Sequence, residues 1–155
     1  MHFADWIKYI LFVTMVLENI SNIFKLEGDF FMKKISTSNA PAAIGPYSQA
    51  IVAGDMVYTS GQIPLVPQTG EIAGNDIATQ ARQSMENVKA VLQAADCNLE
   101  RVVKTTCFLA DMKDFSVFNE IYSEYFIGNP ARSCVAVKQL PKGVLCEVEA
   151  IACLL

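Results

Sequence analysis

Histidine and positive charge are scarce in this sequence of 155 residues. Its only histidine is His2, so the rest of the chain lacks the commonest general base and the Ser-His and Cys-His arrangements of nucleophilic enzymes. Lysine and arginine number 12 against 16 aspartates and glutamates, which gives a net charge of −4. Without an excess of basic residues, the chain is expected to bind neither nucleic acid nor a membrane surface.

Sequence patterns for binding phosphates and metals are also missing. Gly70 and Gly74 fit neither the G-x-G-x-x-G spacing nor a P-loop. No two cysteines are spaced C-x-x-C and His2 is remote from all of them, so a metal site is not expected. An odd number of cysteines in apolar runs is typical of free thiols in a reducing compartment, and we expect a cytoplasmic protein. The five cysteines are Cys97, Cys107, Cys134, Cys146 and Cys153.

Residues 1–31 differ in composition from the rest of the chain, being rich in isoleucine, leucine and phenylalanine. The early Asp5 and the lack of a small-residue cleavage site disfavour a signal peptide. The apolar run 9–17 is too short for a transmembrane helix. Apolar residues on nearly all sides weaken the case for an interfacial helix.

A fourth interpretation of residues 1–31 is a translated leader from an early start-codon assignment. Met32-Lys33-Lys34 is typical of a natural protein start. Residues 27–29 can be encoded by codons that contain a purine-rich bacterial ribosome-binding sequence. We therefore predict an N-terminal extension over 1–31 and a folded domain over 32–155.

Strand and helix patterns alternate along the folded domain. Asn75 or Asp76 can cap a first helix, and Asp114 can cap a second, which ends at Gly128-Asn129-Pro130. The order β-β-α-β-α-β-β predicts an α+β fold, a mixed sheet with two helices packed on one face. The strands are predicted at 49–52, 56–60, 101–109, 131–137 and 144–155. The helices are predicted from the apolar stripe Ile77, Ala81, Ser84, Val88, Val91 and Ala95 and from the stripe Phe115, Phe118, Tyr122 and Tyr125.

An arginine interrupts the small, apolar strand ARSCVAV. Because alternate residues of a strand point to the same side, Arg132 and Cys134 share a face. A guanidinium there needs water or an anion, since burying it unpaired is very costly. Arg132 either lays its stem over apolar surface or binds an anion. Cys134 has no histidine partner, which favours packing over nucleophilic catalysis.

Two glutamates mark one face of the final strand. Glu147 and Glu149 alternate with an apolar row, and their face is either half exposed to water or covered by another subunit. A simple hairpin around Pro141 and Lys142 would place Arg132 opposite residue 150 or 151. Arg132 and Glu147 could then flank one small ligand.

Two short stretches place further polar groups at turns. In GPYSQA, Tyr47 stands where a tight turn enters the first predicted strand. In YTSGQIP, Ser60 and Gly61 stand at a strand end, where a hydroxyl and backbone N–H groups become available to a ligand. Each stretch alone is ordinary turn chemistry.

Together, the motifs of this chain resemble those of the RidA/YjgF family of reactive-intermediate deaminases. The resemblance runs in order from about Met32 to the C-terminus, and residues 1–31 have no counterpart in it. Its most specific part is PARSCV with a glutamate 15 positions after the arginine. The matching stretches are NAPAAIGPYSQA, YTSGQIP, ARQSMENVKAVL, VVKTTCFL, PARSCVAVKQLPKG and CEVEAIA.

The resemblance implies a homotrimer of chorismate-mutase-like subunits whose sheets meet in a central barrel, with clefts between neighbouring subunits. It implies hydrolysis of 2-imino acids and their enamine tautomers to 2-keto acids and ammonia, without a cofactor. Arg132 is expected to bind the substrate carboxylate, Glu147 to hold the water, and Glu149 to be structural. The positions expected to line the pocket are Tyr47, Ser60, Gly61, Asn119 and Cys134.

A protein that binds small molecules in the same cleft without turnover is the alternative, because some relatives have been credited with translation or purine regulation. The presence of Arg132 and Glu147 favours the enzyme. The acidic net charge and the missing histidine pair disfavour a ribonuclease.

Overall fold

The computed structural model describes residues 13–15 and 32–154 of the chain. The chain divides into two units, Met1–Phe31 and Met32–Leu155. In the first unit, residues 13–15 are helical. The predicted leader otherwise lies outside the described residues and stays a prediction. No helix in the described ranges is long and apolar enough to cross a membrane.

One mixed sheet of six strands forms the centre of the second unit. The strands are β1 (Met32–Ile35), β2 (Ala50–Ala53), β3 (Met56–Thr59), β4 (Val102–Leu109), β5 (Ala131–Ala136) and β6 (Cys146–Cys153). Their order across the sheet is β1-β2-β3-β6-β4-β5, and among these described strands only β4 and β5 run parallel. The α+β class with a mixed sheet is therefore confirmed.

Strand β1 was not predicted from the sequence pattern. Its four residues, MKKI, include two lysines, and only Ile35 is buried. The strand forms because its backbone pairs along the edge of the sheet with β2, where Lys33 stands opposite Val52. Such an edge strand depends on its neighbour rather than on its own apolar pattern.

Two helices, α1 (Ile77–Ala94) and α2 (Phe115–Tyr125), connect the strands. As predicted, Asp76 caps α1, because its carboxylate accepts a hydrogen bond of 2.9 Å from the backbone N–H of Thr79. Asp114 stands at the predicted N-cap position of α2, but its side chain makes no capping hydrogen bond. A 3₁₀ turn, Met112–Asp114, precedes α2 and is capped by Asp111, so Asp114 already has helical dihedral angles and makes no side-chain cap.

The core lies between the helices and one face of the sheet. The predicted apolar stripe of α1 is buried, with Ala81, Ser84, Val88 and Val91 wholly inaccessible to solvent. It faces the buried row of β6, and Ser84 Oγ lies 3.7 Å from Cys146 Sγ. That row is Cys146, Val148, Ala150 and Ala152. The alternate residues of β6 therefore point to the opposite face of the sheet, hereafter the open face.

The predicted hairpin between β5 and β6 is wrong, because β4 lies between them. Helix α2 connects β4 to β5, which pairs in parallel with one side of β4 at the edge of the sheet. Strand β6 pairs antiparallel with the other side of β4. A parallel pair needs such a crossover connection. Arg132 still lies level with Ala150, but Thr105 of β4 separates the two residues.

Gln49 ties the loop before β2 to the sheet. Its buried side-chain nitrogen donates to the carbonyls of Thr37, Ala40 and Pro41 at 2.8 to 3.3 Å. Its side-chain oxygen accepts from the N–H of Thr37 at 2.6 Å. The loop that carries Tyr47 begins within this network. Gln49 therefore sets where that loop leaves the sheet.

Replacing Gln49 with leucine is expected to lower the free energy of unfolding by about 1 to 3 kcal/mol, because it leaves buried backbone groups without hydrogen bonds. Urea denaturation followed by circular dichroism measures the change. Gln68→Leu, at an exposed position, is the control and should have little effect. Equal stability of the Gln49 and Gln68 variants would contradict this role.

Candidate active site

Four of the seven predicted site residues line one pocket. Tyr47, Ser60, Gly61 and Glu147 surround a cavity of about 310 Å³, with walls completed by Ile44, Ile63 and Pro141. The pocket opens where the end of β3 meets the start of β6. The sequence identified the polar residues of this pocket, whereas its apolar lining carries no pattern that distinguishes it from ordinary loop residues.

Glu147 enters this pocket beside a glycine. A Cβ atom built on Gly61 would lie 1.8 Å from the Oε1 atom of Glu147, closer than atoms can approach. The backbones are fixed there, since Gln62 and Val148 exchange hydrogen bonds of 2.8 and 3.1 Å. Gly61 is therefore needed because the carboxylate occupies the space of a side chain, and not for an unusual backbone conformation.

The electrostatic environment of Glu147 favours its protonated form. Burial, and then the nearby charge of Glu149, raise the pKa of Glu147 above its ordinary value. Within residues 13–15 and 32–154 its carboxylate makes no hydrogen bond or ion pair. A half-buried carboxylate with a raised pKa and free oxygens can hold a water and accept its proton.

The polar groups around Glu147 are only partly free. The Ser60 hydroxyl donates to the carbonyl of Ser48 at 2.7 Å, and its backbone N–H donates to Gln49 at 2.9 Å. The expectation that both groups of Ser60 are available as donors is therefore corrected. Gly61 N–H has no such acceptor in the described part of the chain. Tyr47 is about half exposed, and its hydroxyl accepts from Ile44 N–H at 3.3 Å.

Arg132 and Asn119 line a second cavity, of about 350 Å³. It lies along α2 and the segment that enters β5, and it shares no residue with the pocket of Glu147. Its other lining residues, which were not predicted as site residues, are Tyr122, Ser123, Phe126, Asn129 and Pro130. The spacing of Tyr122 is a signal for it, because residues three apart on a helix are neighbours and Asn119 is a predicted site residue.

Cys134 shares the face of Arg132, as predicted, but lines neither cavity. It is half buried and stands opposite Cys107 of β4. Burial raises the pKa of the Cys134 thiol, and the charge of Arg132 only partly opposes this. The thiol form is therefore favoured, which suits packing better than nucleophilic attack. In the described residues no group of histidine, cysteine and carboxylate side chains could hold a metal ion.

Arg132 and Glu147 point to opposite faces of the sheet. Arg132 lies level with the buried residues Thr105 and Ala150, on the face covered by the helices. Glu147 is three positions from Ala150 along β6, so it points to the open face. Within one chain, the two residues cannot flank the same small ligand.

Known proteins similar to this chain cover most of it. The family model described as endoribonuclease L-PSP matches residues 37–154. The 2-iminobutanoate/2-iminopropanoate deaminase of Escherichia coli K12 is 52% identical over 124 residues, which cover 77% of this chain and 96% of that protein. A candidate regulator of Lactococcus lactis, AldR, is 53% identical over 122 residues, covering 78% of this chain and 97% of the relative.

A solved structure extends the similarity to the fold. The crystal structure of Escherichia coli TdcF with bound serine has a TM-score of 0.75 and 50% sequence identity, and the match covers 78% of this chain and 98% of TdcF. The relatives share sequence and fold, but their names describe different activities.

Glu147→Gln is expected to raise the midpoint of thermal unfolding at pH 7 but not at pH 4. Because the pKa of Glu147 in the folded state lies above its ordinary value of 4.5, folding favours the protonated carboxyl group. The stability that this group contributes is full below pH 4.5 and is lost as the pH rises through the folded-state pKa. Glutamine mimics the protonated form at every pH. Scanning calorimetry of both proteins, with the exposed Glu120→Gln as control, measures the difference. An equal shift at both pH values would rule out a carboxylate strained by burial.

Proposed function

The chain belongs to the endoribonuclease L-PSP family, and its motifs are those of the RidA/YjgF proteins. From this premise we propose that it hydrolyses reactive 2-imino acids and their enamine tautomers to 2-keto acids and ammonia. Examples of such substrates are 2-aminoacrylate and 2-iminobutanoate. The observation that carries the proposal is a pair of unpartnered charges. In the described ranges, Arg132 and Glu147 each face a cavity, and neither forms an ion pair.

The substrate supplies the group that Arg132 lacks. A 2-imino acid carries a carboxylate beside its C=N bond, and a guanidinium can hold a carboxylate through two parallel hydrogen bonds. A relative that is 52% identical is named for this substrate class, and TdcF binds serine, which also carries an α-carboxylate. Both relatives support a small carboxylate as ligand.

The chemistry needs little beyond a placed water and a proton acceptor. The carbon of a protonated imine is already electrophilic, so water adds to it while Glu147 takes a proton. Glu147 returns that proton to the carbinolamine nitrogen. The C–N bond then breaks while Glu147 takes the proton of the hydroxyl group and the C=O bond forms. The departing ammonia finally takes this proton from Glu147 and leaves as ammonium. One water is consumed in each turnover. A positioned base contributes about 10² to 10⁴ in rate.

A homotrimer with clefts between neighbouring subunits completes the proposal. The two half-sites lie on opposite faces of one sheet, so one cleft would take Arg132 and Asn119 from one chain and Tyr47, Gly61 and Glu147 from the next. The open face supports such an assembly, because it presents large apolar side chains: Tyr58, Phe108, Val135 and Ile151. Tyr58 and Val135 are 45% and 47% exposed. Sheets that cover these side chains would form the central barrel.

A second candidate function is regulation by binding a small molecule without turnover. The name of the Lactococcus lactis relative, which is 53% identical, favours it. Both functions use the same cavities, and turnover separates them.

The deaminase activity is tested by generating the imine with threonine dehydratase and following release of the 2-keto acid. We expect clear acceleration over buffer. Arg132→Lys should lose nearly as much activity as Arg132→Ala, because one ammonium cannot reproduce a planar two-point contact. Glu147→Gln should reduce kcat more than keto-acid binding. Arg82→Lys, at an exposed ion pair that joins α1 to α2, is the control. No acceleration by the wild type would favour the regulatory function.

Mixing two inactive variants tests whether the half-sites come from different chains. Arg132→Ala and Glu147→Gln chains are unfolded, mixed in equal amounts and refolded together. If each cleft joins neighbouring chains, random assembly restores about a quarter of the clefts, because each cleft needs one intact residue from each variant. Each variant refolded alone is the control. If mixing recovers no activity although mass spectrometry detects mixed oligomers, Arg132 and Glu147 do not complement each other between chains.

A further inference from the structure

Two aromatic rings surround the guanidinium of Arg132. Its central carbon lies 4.5 Å from the ring centre of Tyr122 and 5.7 Å from that of Phe115, both within the range of a cation–π contact. Both rings belong to α2, while Arg132 lies on the edge strand β5. The contact therefore connects the helix to the one arginine that faces the second cavity.

No carboxylate of the described chain pairs with Arg132. The ion pairs among those residues are Arg82–Glu124, Lys89–Glu86 and Lys113–Asp111. A carboxylate partner would occupy the N–H groups that an anionic ligand requires, and would compete with it for them. An aromatic face attracts the cation through its π electrons and leaves those donors free. The aromatic contact therefore suits an arginine that must both stay in place and remain available.

The Tyr122 ring is itself held from two sides. Its hydroxyl shares a hydrogen bond of 2.8 Å with Thr105 Oγ1, which is completely buried. Its ring stacks on Phe126, with 4.6 Å between centroids. Thr105 also stands directly opposite Arg132 in the pairing of β4 with β5. Each of the three residues Thr105, Tyr122 and Arg132 is therefore next to the other two, through strand pairing or side-chain contact.

We propose that Tyr122, anchored by Thr105, is the positioning residue that orients the Arg132 guanidinium for two-point binding of the substrate carboxylate. The inference rests on the proposed function and adds to it a residue that does not itself react. A ring that orients the arginine affects carboxylate binding in the ground state and in the transition state alike. Its loss should therefore raise KM while kcat changes little.

The kinetic test compares three variants in the coupled assay. Tyr122→Leu removes the ring and should raise KM about tenfold with kcat largely kept. Tyr122→Phe keeps the ring without its hydroxyl and should restore most of the lost affinity. Val91→Ala, at a fully buried position of α1, is the structural control and should leave KM unchanged. Wild-type KM in Tyr122→Leu, or an equal rise in Val91→Ala, would overturn the proposal.

A readout that does not depend on activity distinguishes this proposal from the proposed function. The side-chain N–H signal of Arg132 in a ¹H–¹⁵N spectrum, assigned with Arg132→Lys, should carry a ring-current shift. Tyr122→Leu should remove that shift, and Val91→Ala should keep it.

Titration with 2-ketobutanoate then tests carboxylate binding directly. If the wild type neither turns over the imine nor binds the keto acid, the proposed function fails, and the positioning role of Tyr122 for substrate fails with it. If the wild type binds but Tyr122→Leu binds equally well, only the positioning role fails.

Discussion

The alternation of side chains along β6 is the constraint on which the rest of the structure depends. Cys146, Val148 and Ala150 point to the helices and bury α1 against the sheet, while Glu147 points the other way. Because β6 pairs with both β3 and β4, its register cannot move without breaking two ladders. A shift by one residue would exchange its two faces, placing glutamates in the core. The register of β6 that keeps the core apolar is therefore also the register that places the Glu147 carboxylate in the pocket.

The two charged groups of the site are tolerated for different reasons. Glu147 is half buried without a counter-ion in the described chain, and the rise of its pKa reflects that cost. Arg132 is held by aromatic faces, which compensate a cation partly removed from water without using its donors. Charged groups that are partly buried without a counter-ion are typical of functional sites rather than of sites selected for stability. The separation of the two charges on opposite faces also prevents them from neutralising each other within one chain.

Sequence patterns predicted most of the elements because the apolar periodicity of this chain is strong. The stripe of α1 and the alternation of β6 each report a face that is buried in the folded protein. The failures have local causes. Strand β1 contains lysines and depends on pairing with β2. The side chain of Asp114 makes no cap, because a 3₁₀ turn over Met112–Asp114, capped by Asp111, precedes α2. Neither effect changes the hydrophobic pattern from which helices and strands are predicted.

The sequence by itself determined the fold class, the family, the polar residues of the Glu147 pocket and two residues of the second cavity, Arg132 and Asn119, since residue type and spacing are properties of the chain. It also determined that Arg132 and Cys134 share a face, because alternation is a property of a single strand. Only the tertiary structure decided which strand lies beside which. The insertion of β4 between β5 and β6 removed the predicted hairpin, and the shared register then placed Arg132 and Glu147 on opposite faces. The contact of Arg132 with Tyr122 was likewise decided in three dimensions, because it joins a helix and a strand through packing that no sequence spacing encodes.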